Sequence, residues 1–308
     1  MDRGEGPIRL LIAAAALTVA AAASSAPRQP LQALVWTAPG AERAVLLRQP
    51  AACLDPAADP LEVAYGRALF HAPQLLGGQA ARAGISCASC HAGGRRSAAF
   101  FLDGVSGAPG SADVSASFFS LARANHTFDP KPIPDLALPG KVPRTGDALK
   151  AFTHGLIVEE FAGREPAPHE LAAVAGYVQA LRPCAVDSDR PRGLGDDLGL
   201  LRETIGASIQ RAELGDGSGA SLLVSAARFR LGLIDERYPP GGFSALHKQL
   251  LAASRALQPV GVAQSPTAAG LRSWLARFER DLVPPLQRGE RRSLYEPRQV
   301  ERWLEGRR

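Results

Sequence analysis

Methionine occurs once, at position 1, and cysteine only four times in 308 residues. A mature chain that loses Met1 with its leader has no thioether to offer a metal. The four cysteines are too dispersed for a structural zinc site, which takes about four N or S ligands. Cys87 and Cys90 are neighbours, but Cys53 and Cys184 lie far from them in sequence. Past the N-terminus, no stretch approaches the roughly 20 apolar residues of a membrane-spanning helix. The formal charge of +5 is mild, spread out and nearly all arginine. With no recognition motif beside it, nucleic-acid binding is not expected; a weakly basic face suits docking of an acidic redox partner.

What is present begins at the N-terminus. Arg3 and Arg9 precede a nearly unbroken apolar run from Leu10 to Ala23, followed by Ser24, Ser25 and Ala26. That pattern is expected to be a signal peptide over residues 1–23, with an uncleaved anchor as the alternative. The chain is then exported, periplasmic or secreted, with no membrane span after signal removal.

Cys87-Ala88-Ser89-Cys90-His91 carries the chemistry. Two thiols about one helical turn apart can each form a thioether with one edge of a porphyrin, and the next imidazole can reach the iron. The spacing predicts one covalently attached haem c, held by Cys87 and Cys90 with His91 as proximal iron ligand. A thioredoxin-like redox pair competes, but it wants a βαβ context and an electropositive helix start, and neither is apparent. In an oxidising compartment the two remaining cysteines, Cys53 and Cys184, are expected to pair as a disulfide. Closing so long a loop contributes about 4 kcal/mol if unstrained.

The reading is mainly α, with a haem domain followed by a helical bundle. Residues 24–59 form an irregular lead-in with a short strand over Leu34 to Thr37. Residues 60–184 form the haem domain, opened by a helix from Pro60 that Pro73 stops. From Ala92 to Arg144 the sequence is rich in Gly, Pro, Ser and Asp, a long loop suited to wrapping a macrocycle. Arg95 and Arg96 there are candidates for pairing with haem propionates, or solvated surface arginines. Helices follow over Gly146 to Phe161 and His169 to Arg182. A polar linker at 185–197 leads to a helical domain over 198–308, with helices near Leu198 to Leu214, Ala220 to Asp235, Ser244 to Leu257, Pro266 to Val283 and Glu296 to Arg307. That part carries no phosphate loop and no nucleophile-base arrangement.

Residues 60–184 resemble a class I c-type cytochrome domain: Gly66 and Phe70 on the first helix, the CxxCH, and Tyr177 on the last. The runs Tyr65-Gly-Arg-Ala-Leu-Phe-His-Ala-Pro-Gln-Leu and Gly84-Ile-Ser-Cys-Ala-Ser-Cys-His91, with Phe101, Asp103, Gly104 and Gly107 beyond, resemble more narrowly the N-terminal haem domain of bacterial dihaem cytochrome c peroxidases and MauG-like proteins. The resemblance implies that the first and last helices cross at Gly66. This chain departs in having one CxxCH where that family has two, and His71 and Ala72 where the family usually has Phe and Asp. His126 and His154 are candidates for the sixth iron position, with an open or water-bound site as the alternative. Glu159 and Glu160 are candidate acid/base groups for peroxide chemistry. Three functions follow as expectations: an electron carrier or redox accessory to a partner; a peroxidase-like enzyme fed by another cytochrome; or a haem-bearing partner-binding or sensory subunit.

Overall fold

Asp59 sets the entry to the first long helix. Its carboxylate accepts from the Leu61 backbone N–H at 2.8 Å, and Pro60 supplies a first-turn residue with no N–H to satisfy. The computed structural model describes residues 31–115, 119–140, 142–184, 189–258 and 265–307, so the expected signal peptide lies outside the described residues. The described residues are mainly α, 57% helix and 6% strand.

The helices run in order α1 (Glu42–Leu47), α2 (Pro60–Phe70), α3 (Pro73–Leu76), α4 (Gly78–Ala83), α5 (Cys87–Cys90), α6 (Gly146–Gly155), α7 (Pro168–Ala180), α8 (Leu194–Glu213), α9 (Gly217–Glu236), α10 (Ser244–Ala256), α11 (Ala268–Asp281), α12 (Val283–Gly289) and α13 (Pro297–Glu305). Short strands form three antiparallel pairs: β1 (Arg48–Pro50) with β6 (Asp189–Pro191), β2 (Cys53–Leu54) with β5 (Leu181–Arg182), and β3 (Ser111–Ala112) with β4 (Lys131–Pro132). The Cys53–Cys184 disulfide is present beside the β2–β5 pair, closing a separation of 131 residues.

α2 and α7 cross at Gly66. A side chain there would bring a Cβ within 2.0 Å of the Ala173 carbonyl oxygen and 2.7 Å of the Tyr177 Cβ. Backbones this close bury Tyr65, Leu69, Phe70, Val174, Tyr177 and Val178 in one core. That core does not stop at the expected linker. It takes in Ala207 from α8 and Leu222, Leu223 and Ala226 from α9, and the chain from Leu31 onward forms one compact unit. A second core is built from residues from Leu194 onward, among them Leu198, Ile205, Trp274 and Phe278.

The helices α1, α3, α4 and α12 were not expected, and three further boundaries differ. α8 begins at Leu194, inside the stretch expected as linker, because Asp196 accepts from the Gly193 N–H at 2.8 Å and Glu290 from the Leu194 N–H at 3.0 Å. Asp196 and Asp197 are therefore first-turn acids, favoured at a helix N-terminus, rather than linker polarity. Leu34 to Thr37 is no strand: Gln32–Leu34 is a 3₁₀ turn, and only Thr37 bridges, to Phe100. The helix from Gly146 changes at Leu156 into one wide π turn ending at Glu160. Among the described residues, no helix is long and apolar enough to cross a membrane.

Candidate haem-attachment site

α5 is a single turn, and its geometry is local. The Ser86 N–H donates to the Ser89 hydroxyl at 3.1 Å, and the His91 N–H closes onto the Cys87 carbonyl at 2.9 Å. Cys87 and Cys90, three residues apart, share one face of that turn. Both are half-buried free thiols packed against the first core. The chain leaves the turn through Gly93 and Gly94, both left-handed with φ of +62° and +75°. A Cβ on Gly94 would strike Leu181 at 2.4 Å, so the strand after α7 pins the motif's exit.

His91 is oriented from the far end of the long loop. Its Nδ1 lies 3.1 Å from the Pro134 carbonyl oxygen. A carbonyl only accepts, so Nδ1 carries the proton and donates, and Nε2 keeps its lone pair. Burial holds the imidazole well below its usual range, at about 4, against the opposing pull of the Pro134 carbonyl and Asp135. It is neutral at physiological pH, the form that ligates metals. Pro134 is itself fixed: Ile133 N–H donates to Gly110 O at 2.9 Å, Leu136 N–H to Gly94 O at 3.2 Å, and Arg95 Nε to Asp135 Oδ2 at 2.8 Å. Arg95 therefore anchors the loop that orients His91.

Burial pushes both thiols up to about 12. Neither is a thiolate at neutral pH, which argues against a nucleophilic redox pair. The residues present fit a haem instead: two unionised thiols on an apolar wall, and a neutral, hydrogen-bonded imidazole with a free ring nitrogen. The loop and α6 also leave Val114, Leu121, Phe128, Leu138 and Phe152 individually exposed.

The other predicted residues scatter. His126 is exposed on the loop in a left-handed conformation, φ +58°. His154 Nε2 lies 2.9 Å from a Glu165 oxygen on the outer side of α6. Glu159 is 3.8 Å from Arg123, and Arg96 faces a separate cavity. No group of three or more His, Cys, Asp or Glu side chains arranged to hold a metal occurs among the described residues.

Glu160, at the end of the π turn, is different. It is 1% exposed, and its Oε1 has no hydrogen-bond partner. Burial raises its carboxyl to about 7 from an ordinary 4.5, partly offset by Arg123 and reinforced by Asp113. The folded protein thus holds this proton more tightly than the unfolded chain does. The associated stability is complete below pH 4.5 and is lost as pH rises through about 7. Denaturant titrations between about pH 5 and 8 are expected to show a falling stability that Glu160→Gln flattens.

Sequence reading missed Pro134, because a backbone carbonyl leaves no trace in residue type. Compared with protein-family models, curated proteins and solved structures, the chain finds no match.

Proposed function

We propose that this chain is an exported mono-haem c-type cytochrome that carries electrons or serves as a redox accessory to a partner protein. The observation that carries the reading is His91: neutral, its Nδ1 proton spent on the Pro134 carbonyl, its Nε2 unprotonated, one residue beyond two free thiols on a single turn. Cys87 and Cys90 would hold the macrocycle through sulfur, and His91 would ligate the iron from its proximal side. When bound, the haem supplies a one-electron iron couple, and the protein's levers are the axial ligand, its hydrogen bond and the burial around it. The Pro134 contact makes the imidazole a better donor and holds its plane. The crossing of α2 and α7 at Gly66, with Tyr177 packed against it, supports the cytochrome-like reading of residues 60–184.

Glu160 favours the second reading, a peroxidase-like enzyme that takes electrons from another cytochrome. A buried carboxyl near 7 with an unpaired oxygen can accept and return a proton at neutral pH.

Expression in a host that matures c-type cytochromes tests the first reading. The purified full-length protein is expected to keep its pigment through acid-acetone extraction. Cys87→Ser/Cys90→Ser is expected to release it entirely, and His91→Ala to keep it with an altered axial-ligand spectrum. Retained protein with no covalent pigment in the wild type would sink the proposal. A low-spin spectrum indifferent to cyanide, without peroxide turnover, selects electron transfer. A high-spin ferric spectrum with turnover that Glu160→Gln lowers by about 10²-fold or more selects catalysis.

A further inference from the structure

On the side of α5 away from the thiols lies a second feature, a cavity of about 570 Å³. Ser86, Ala88 and Ser89 form one wall, and α8 and α9 form the facing one. Its size is that of a small-molecule site rather than a packing flaw.

The cavity is over-supplied with positive charge. Arg48, Arg67, Arg96, Arg190, Arg192 and Arg230 line it, against the carboxylates of Asp189, Asp196, Asp197 and Glu203. Six guanidiniums and four carboxylates leave an excess of two. His71, also in the wall, adds none, because burial and then Arg230, Arg67 and Arg192 hold it well below its usual range. The internal pairing shows where the excess arises. Arg67 bonds Glu203 and Arg190 bonds Asp196, but Arg192 and Arg230 share the single Asp197, and Arg48 turns onto the Asp189 backbone carbonyl.

Trp36, Phe229 and Leu200 supply apolar wall between the charges.

We propose that this cavity binds a small organic dianion, an aromatic or aliphatic body bearing carboxylates or a phosphate ester. Two negative charges balance the excess. Oxyanion oxygens accept from guanidinium forks in planar, bidentate geometry. The apolar wall takes the body.

Isothermal titration of the full chain with phthalate and with phenyl phosphate tests this, benzyl alcohol serving as the uncharged control. One dianion or both is expected to bind saturably at one site per chain, weakening with added salt, while benzyl alcohol does not bind. Binding of phthalate alone identifies a dicarboxylate site, and binding of phenyl phosphate alone a phosphate-ester site. Arg67→Gln is expected to weaken binding about tenfold or more, through loss of a charge-assisted bond. Arg96→Gln, which removes an exposed guanidinium of the lining, is expected to weaken it about fivefold. Arg280→Gln, remote and exposed, is expected to leave it unchanged. The proposal is overturned if neither dianion binds saturably, or if Arg67→Gln and Arg96→Gln both bind as tightly as the wild type.

Discussion

Asp197→Ala is expected to lower the unfolding free energy by about 3–5 kcal/mol, the largest loss from any single carboxylate in the chain. Asp197 is 3% exposed. One oxygen accepts from Arg192 at 3.0 Å and Arg230 at 3.2 Å, and the other from the Tyr295 hydroxyl at 2.7 Å. Arg237, 2% exposed, lies over the Tyr295 ring at 5.3 Å and donates to the Leu46 and Leu294 carbonyls. One carboxylate thus organises α8, α9, the lead-in and the C-terminal segment. Burial alone would raise its proton affinity, but the three guanidiniums overcome that and hold it well below the usual carboxylate range.

Truncation leaves those guanidiniums buried and facing one another, which is why the cost exceeds that of a hydrogen bond. Equilibrium denaturation at neutral pH measures it, with a melting-temperature fall on the order of 10 °C for a unit of this size. Tyr295→Phe removes only the hydroxyl and is expected to cost about 1–2 kcal/mol. Equal effects from the two variants would show that the charges are not coupled through Asp197. The acid limb follows from the same geometry: this stability is present above the ordinary value of 3.8 and declines as pH falls below it.

Gly66→Val is expected to cost about 3 kcal/mol or more, since the crossing of α2 and α7 leaves no room for a side chain. The atoms in the way are the Ala173 carbonyl oxygen at 2.0 Å and the Tyr177 Cβ at 2.7 Å. Backbone cannot rotate aside as a long side chain can, so the helices have to separate, and Phe70 loses its edge contact with Tyr177 at 5.2 Å. Phe70 in turn lies 6.4 Å from the His91 ring, so the same substitution is expected to disturb the imidazole proposed to ligate the iron. Gly176 on α7 is the control, because a Cβ there meets nothing within 4 Å. Gly176→Ala is expected to gain about 0.5–1 kcal/mol from reduced chain entropy. Thermal and denaturant unfolding of the two variants distinguish contact at the crossing from glycine content in general.

Much of this was legible in residue order. Local signals act over a few positions, and they placed α2 from Pro60, α7 from near Pro168 and the helices after 198, α12 excepted, to within a few residues. The disulfide was legible because two cysteines remained once the motif had claimed its pair. The start of α8 was misread because Asp196 and Asp197 look like linker acids until Gly193 and Glu290 are seen at the helix end.

The sequence alone determined the kind of chemistry: two thiols at one-turn spacing and an adjacent imidazole are properties of chain order. Only the tertiary structure decided how those groups are held. The Pro134 carbonyl that orients His91 is 43 residues away, and Asp197 meets Tyr295 across 98. Burial, which turns Glu160 into a carboxyl near 7, depends on what packs around a residue. Neighbours along the chain do not encode that, because contact energies are set in space and hydrophobic patterning constrains only which face turns inward.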